Sequence, residues 1–337
     1  FVFVDAAEKK GKAALETLPS TYDVSKEAEQ LVVHLCDKNE GFLLELVYSV
    51  FRKEDVITRS AKFINKSDKP VRLTRLMSMQ LDLNRSGYVV TSFHGGWTKE
   101  MNRYDTTVNI GKFVNASYTG SSSNRCNPFI MVSEPDTSET MGDCYGFNLV
   151  YSGNHYEAVE VNSFEKTRIV TGINPTNFAF LLAPGESFES PEAVMTFSHE
   201  GFSGVSAHMH PFVREHVVRG SWQHKERPVL LNSWEASYFD ISESSLLRLA
   251  KMGKDVGVEL FVMDDGWFGE RNNDTRALGD WTPNTKKLPN GVAGLCKKVN
   301  DLGLAFGIWI EPEMVNTDSN LYRAHPEWSM EIPGEDH

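Results

Sequence analysis

The sequence predicts two portions of different class, an all-β domain over residues 1–220 and an α/β portion over residues 221–337. Three observations carry this. Short runs of alternating apolar and polar residues, punctuated by Gly-, Pro- and Asn-containing turns, fill the first portion. From Pro228 onward, apolar strand-like runs alternate with stretches of helical spacing. Each apolar run of that second portion ends in a tryptophan and a carboxylate.

In the first portion Ile57, Arg59, Ala61 and Phe63 alternate with Thr58, Ser60 and Lys62, the period of a strand. The turn Asn65-Lys66-Ser67-Asp68-Lys69-Pro70 follows, and Val71, Leu73, Met77, Met79 and Leu81 resume at period two. Further strands are expected over 146–151, 158–164, 167–173 and 178–182, and over 192–197 after the turn at Pro184-Gly185. Many short strands with turn punctuation predict a β-sandwich. The period changes after Phe202. Residues 208–219 predict a helix, at least beyond Pro211, that bridges the two domains.

In the second portion three runs read as strands: Val229-Leu230-Leu231-Asn232-Ser233-Trp234-Glu235, Val258 through Gly269, and Leu304 through Glu313. A helix over 243–256 carries Leu246, Leu247, Leu249 and Ala250 at helical spacing, with Asp240 or Ser242 as its N-cap. A second, over 292–302, sets Leu295, Val299 and Leu302 on one stripe and stops at Gly303. The order β-α-β-α-β with buried strands predicts a parallel sheet with right-handed crossovers. Such a unit is either a small open βα sheet or the first part of a (β/α)8 barrel, which takes about 250 residues and eight strands.

Composition narrows the function. A net charge of −12 argues against nucleic acid as partner, because phosphate neutralisation needs a basic face. No run is long and apolar enough for a membrane-crossing helix. Cys36, Cys126, Cys144 and Cys296 are widely spaced and form no CxxC pair, which favours free thiols in a reducing, cytoplasmic compartment over a zinc site. A signal segment lost from the N-terminus would leave no trace in a chain that begins at Phe1. His208-Met209-His210 with His216 is a weak metal candidate, since residues two apart on a helix diverge. No metal and no cofactor is expected. Buried strands tipped with Trp and acid point instead to a barrel that handles carbohydrate.

The motifs Asn232-Ser233-Trp234-Glu235-Ala236, Asp264-Asp265-Gly266-Trp267-Phe268-Gly269, Gly279-Asp280-Trp281, Leu288-Pro289-Asn290-Gly291, Trp309-Ile310-Glu311-Pro312-Glu313-Met314-Val315 and Tyr322 through Trp328 resemble those of family 36 glycoside hydrolases, the large microbial α-galactosidases. Upstream, Asn127-Pro128-Phe129, Tyr151-Ser152-Gly153-Asn154, Gly172-Ile173-Asn174-Pro175 and Pro191-Glu192-Ala193-Val194 are similar to that family's N-terminal sandwich. The resemblance covers nearly the whole chain. Arg125-Cys126 stand where the family often carries histidines.

The resemblance implies a β-sandwich (supersandwich) lacking its first strands, followed by the first three βα units of a TIM (β/α)8 barrel. It implies a parent enzyme that releases terminal α-1,6-linked galactose from melibiose- or raffinose-type oligosaccharides with retention, and that is a homo-oligomer. An α-N-acetylgalactosaminidase, a raffinose-type galactosyltransferase and a non-catalytic carbohydrate-binding or assembly module are the alternatives. The family's nucleophile and acid/base lie on its fourth and sixth barrel strands, so both are expected beyond His337 and residues 1–337 are expected to be inactive alone. The barrel portion is then expected to be unstable, because the strand after Leu304 leaves an open edge.

Galactose offers a ring of hydroxyls and one apolar C–H patch, so its site needs carboxylate acceptors and an indole face. The resemblance assigns the carboxylates to Asp264 and Asp265 and the indoles to Trp234 and Trp309. Trp267 and Trp281 either line the rim or pack loops. Glu311 and Glu313 suggest a retaining pair about 5 Å apart, yet Pro312 takes the chain out of the strand between them, so positioning roles are expected.

Overall fold

The computed structural model describes residues 1–330 together with Ile332 and Gly334. The chain divides into two compact units, Phe1–His224 and Lys225–His337.

The strands of the first unit are β1 (Val2–Lys10), β2 (Glu29–Asp37), β3 (Phe42–Phe51), β4 (Val56–Asn65), β5 (Val71–Leu73), β6 (Met77–Leu83), β7 (Tyr88–His94) and β8 (Asn102–Val108). They continue with β9 (Gly111–Ala116), β10 (Cys126–Ser133), β11 (Cys144–Val150), β12 (His155–Val161), β13 (Thr167–Ile173), β14 (Phe180–Leu182), β15 (Ser187–Glu189) and β16 (Glu192–Ser198). The larger sheet runs β1-β2-β3-β4-β16-β11-β10-β7-β8, with β15 also on β4. The smaller runs β6-β13-β12-β9, and β14 pairs with β5 alone. Val90, Ile130, Val132 and Phe147 of the larger sheet meet Met79, Val159 and Ile169 of the smaller in one apolar core. This is a sandwich.

The outer face of the larger sheet is covered by helix α1 (Gly201–His216), whose Phe202, Val205, Met209 and Phe212 pack against Phe51, Met131, Cys144 and Val194. A Cβ on Gly146 would lie 2.7 Å from Val205 Cγ1, so glycine on β11 admits the helix. The expected start near Pro211 is corrected: the helix begins ten residues earlier and contains the proline. A mid-helix proline costs about 3 kcal/mol, whereas burying each of four large apolar side chains returns about 1.5–3 kcal/mol.

Double coverage also explains β4. Neither alternating set is the buried one throughout: Val56, Thr58 and Ser60 are buried in its first half, Ala61, Phe63 and Asn65 in its second. The run 71–81 likewise divides into β5 and β6, which belong to different sheets. Three residues on neighbouring strands form a polar row inside the sandwich: Asn115, Glu157 and Thr171, cross-strand partners on β9, β12 and β13. His155, also fully buried, places Nδ1 3.0 Å from Glu157 Oε2, while its Nε2 donates to the Cys126 carbonyl at 2.8 Å. The Cys126 main chain thus joins this interior network, while Arg125 beside it is exposed.

In the second unit β17 (Leu230–Asn232), β18 (Leu260–Met263) and β19 (Ala305–Ile308) form a parallel sheet in that order. Short α2 (Trp234–Ser237) follows β17, and α3 (Glu243–Asp255) and α4 (Gly291–Asp301) make the two crossovers. Ser242 is the N-cap of α3, with a reciprocal capping box to Ser245. Leu246, Ala250, Leu295 and Val299 pack with Phe261 and Met263. The expectation of uniformly buried strands is corrected: Leu230 and Ile308 are exposed, and full burial is confined to Phe261 and Met263 of the central strand. Helices cover one face of this sheet.

Candidate functional site

The carboxyl end of β18 opens directly into Asp264, Asp265 and Gly266. Asp264 keeps the alternation of Leu260 and Val262. Asn232, paired in register with Val262, reaches it from β17 and donates through Nδ2 to Oδ2 at 2.5 Å. Asp264 Oδ1 accepts the Asp265 amide at 2.7 Å, and the Asp264 amide donates to Ser233 Oγ at 3.0 Å. Each oxygen of this buried carboxylate therefore has one protein donor and one further lone-pair direction.

Asp265 is held differently. Its Oδ1 accepts the Gly266 amide at 2.6 Å. Arg271 Nε lies 3.0 and 3.1 Å from Oδ1 and Oδ2, and Nη2 donates to Oδ2 at 2.8 Å. Both side chains are nearly inaccessible. The remaining guanidinium nitrogen, Nη1, donates to the Arg276 carbonyl and to Asn316 Oδ1. Beneath them the Lys287 ammonium donates to the carbonyls of Phe239, Gly266 and Arg271 at 2.9, 2.8 and 3.0 Å. Burial pushes its pKa down against the pull of Asp240, Asp265 and Glu270. Gly266 turns at φ +90°, with Phe239 Cα 3.1 Å from where a Cβ would stand, so no other residue fits the turn.

The tryptophans separate into different roles. Trp267 is buried in the core and donates through Nε1 to the Trp309 carbonyl at 3.0 Å, which excludes it from a rim. Trp309 is half-buried just past β19, its amide bonded to the Met263 carbonyl. Trp281 packs on Phe268 with ring centroids 4.5 Å apart and planes tilted by 50°, and it lines a cavity of about 590 Å³ together with Gly269, Glu270, Asp280 and Arg323. Neither Asp264 nor Trp309 lines that cavity. Trp234 lies in α2 rather than on a strand, half-buried, with its ring edge-on to Tyr238 and Phe239.

Glu311 and Glu313 share no strand face, since β19 ends at Ile308 and both stand in the following turn region. Glu311 is half-buried. Burial, then the Glu313 carboxylate, pushes its pKa up; Asp265 adds to this and Arg271 opposes it, so Glu311 lies within electrostatic reach of the Asp265–Arg271 pair. The site thus gathers Asn232, Asp264, Asp265, Arg271 and Trp309. Sequence reasoning misses Arg271 and Lys287. The available signal is an arginine six residues after a strand-terminal acid pair, in a loop without period.

Among the described residues no group of three or more His, Cys, Asp or Glu side chains is arranged to hold a metal. His208 and His216 have protein partners, Thr196 Oγ1 and the Tyr22 carbonyl.

Residues 1–183, more than half of the chain, match the glycosyl hydrolase family 36 N-terminal domain. The chain belongs to glycosyl hydrolase family 36. Residues 187–337 match Melibiase. The chain is 44% identical over 325 residues to the alpha-galactosidase AgaA of Geobacillus stearothermophilus, covering 96% of this chain and 45% of that protein. It is 41% identical over 326 residues to the bifunctional alpha-galactosidase/sucrose kinase AgaSK of Mediterraneibacter gnavus, covering 97% and 35%. The family 36 fold is equally plain in solved structures. The crystal structure of AgaA superimposes with a TM-score of 0.96 at 43% identity, covering 99% of this chain and 47% of that one. An alpha-galactosidase from Lactobacillus brevis gives 0.96 at 41%, covering 99% and 45%. Variants of AgaA are known in complex with raffinose and with stachyose. This family 36 chain spans about half the length of the curated relatives it matches.

Proposed function

We propose that this chain supplies the galactose-recognising wall of a retaining α-galactosidase acting on terminal α-1,6-galactosides of the melibiose and raffinose type. The observation that carries the reading is Asp264: a buried carboxylate at the carboxyl end of the central parallel strand, each oxygen with an open acceptor direction, bonded by Asn232 from one neighbouring strand, with Trp309 following the other neighbouring strand and tied by its amide to the Met263 carbonyl. A carboxylate accepting a sugar hydroxyl contributes roughly 1.5–3 kcal/mol, and an indole face suits the apolar C–H patch of galactose. The carboxyl ends of barrel strands are where such enzymes build their sites. The binding of raffinose and stachyose by AgaA variants supports the same substrate class. In this chemistry a carboxylate attacks the anomeric carbon while an acid protonates the leaving oxygen, and water then releases the glycosyl-enzyme. We assign neither group among the described residues.

The test is turnover by a chain carrying the whole catalytic domain. Nitrophenyl α-galactoside and raffinose are expected to be hydrolysed, with α-galactose as first product. Preference for the N-acetylgalactosaminide would move the reading to an α-N-acetylgalactosaminidase, and transfer to sucrose over water to a galactosyltransferase. Binding of galactose with no turnover of any of these would leave a carbohydrate-binding module and overturn the enzyme.

A further inference from the structure

We infer that Arg271 is a positioning residue for sugar recognition: by gripping Asp265 through two nitrogens it fixes the direction in which that carboxylate accepts one particular galactose hydroxyl. The inference rests on the galactose-binding reading of this site.

Four hydrogen-bond contacts already converge on Asp265. The Gly266 amide and Arg271 Nε meet Oδ1, and Nε and Nη2 meet Oδ2. A carboxylate has about four acceptor positions. Because Nε is shared between the two oxygens, one position on Oδ2 stays open, and the planar fork settles where it points. Asp264, with one donor on each oxygen, keeps two.

The guanidinium cannot swing to serve a sugar itself. Its Nη1 is tied to the Arg276 carbonyl and Asn316 Oδ1 at 2.9 and 3.0 Å, and its Cζ sits 5.3 Å from the Phe239 ring centroid. Its own carbonyl is bound by Lys287. Nε, one Nη2 hydrogen and both Nη1 hydrogens of Arg271 are thus engaged within the protein, and the side chain is nearly inaccessible, so what it does to a sugar passes through Asp265. Such preorganisation removes a reorientation that an unrestrained carboxylate would undergo on binding.

Inhibition constants for galactose and its 2-, 3-, 4- and 6-deoxy derivatives, measured on a chain carrying the whole catalytic domain, test this. The set comprises wild type, Arg271→Met, Arg271→Lys, Asp265→Asn and the double variant Asp265→Asn/Arg271→Met, each checked by thermal melting. Arg271→Met is expected to weaken galactose by about tenfold to a hundredfold. One deoxy sugar, lacking the hydroxyl that Asp265 reads, should bind the variant as it binds wild type. Arg271→Lys, a point charge without the fork, should recover part of the loss. The double variant should be no weaker than the worse single one. An equal loss for all five sugars, or effects that multiply in the double variant, would overturn the inference in favour of a purely structural arginine. Should Arg271→Met fail to fold, the Arg271→Lys and Asp265→Asn profiles decide: loss at different hydroxyls overturns it, loss at the same one supports it. A wild-type chain without galactose affinity overturns the functional reading and this inference with it; wild-type affinity beside an unaffected Arg271→Met overturns the inference alone.

Discussion

Asp264 and Asp265 are adjacent in the chain yet answer to different partners: Asp264 to Asn232 on the neighbouring strand, Asp265 to Arg271 in the loop that follows. Two carboxylates side by side in a partly dry site would repel. Here one is neutralised by a guanidinium and the other is hydrogen-bonded by an uncharged amide, so both can remain acceptors.

Asp264→Asn is expected to reduce kcat/KM for a nitrophenyl α-galactoside by at least about a hundredfold in a chain carrying the whole catalytic domain, with little change in melting temperature. The new amide would face the Asn232 amide and offer a donor where acceptors are needed. Kinetics within threefold of wild type would remove Asp264 from the site.

Trp309 gives a graded test. Its main-chain contacts to Met263 and Trp267 survive substitution, so Trp309→Ala should weaken galactose binding more than it lowers stability. Trp309→Phe should keep part of the affinity, having a smaller ring face. Loss of thermal stability alone, with inhibition constants unchanged, would make the indole a packing residue.

Glu243 links α3 to α4 by accepting from Asn290 at the N-cap of α4 and from Lys298 Nζ in its last turn. The Lys298 hydrogen bond, then those from Asn290, hold its carboxyl below the usual range. A depressed carboxyl stabilises above its unfolded value of about 4.3 and loses that contribution as pH falls through the folded value. Glu243→Gln should lower the melting temperature at pH 7 and flatten its decline below about pH 4.3. Equal acid limbs in the two proteins would show that this link carries no stability.

The buried His155–Glu157 contact makes the opposite pH prediction. Burial alone would lower the His155 pKa, but the Glu157 hydrogen bond and charge raise it above the ordinary value. A raised histidine contributes fully below its unfolded pKa of about 6.5 and loses that contribution as pH rises through the folded value. Burial pushes the Glu157 carboxyl up as well, and His155→Ala should destabilise the sandwich by about 1–3 kcal/mol, since it removes one of the two side-chain donors to that carboxyl and leaves only Asn115. Urea unfolding at pH 6 and pH 9 measures it, with the smaller difference expected at pH 9. A cost below about 1 kcal/mol at both pH values would contradict the role.

How much of this is legible in the sequence depends on what each residue answers to. β13 is legible to the residue, 167–173, because a turn at Asn162–Lys166 closes in front of it and β-branched residues fill it. β4 is legible as a strand but its buried face is not, because α1 covers the outer side of its sheet and period two then carries no direction. The span of α1 is hidden by Pro211, whose cost is outweighed by contacts with strands distant in sequence. At the site, Asp264 and Asp265 declare themselves by standing where an apolar strand stops. Arg271 does not, since its pairing is made by the path of an irregular loop. Trp234, Trp267 and Trp309 look alike in sequence; only the packing of their surroundings divides core from wall.

The larger sheet has a consequence for how the chain acquires its shape. β1 to β4 form a meander that can pair as soon as it leaves the ribosome, but the neighbour of β4 on its other side is β16. Thr196 Oγ1 closes that seam on the carbonyl of Asp55, 141 residues away. Until β16 has been synthesised, β4 presents an open hydrogen-bonding edge beside Phe51 and Val56, which α1 later covers. Loops of that length close slowly. The nascent sheet therefore spends the time needed to translate more than a hundred residues with its centre unsealed. That interval, rather than the finished fold, is where the first unit is most exposed to mispairing with another copy.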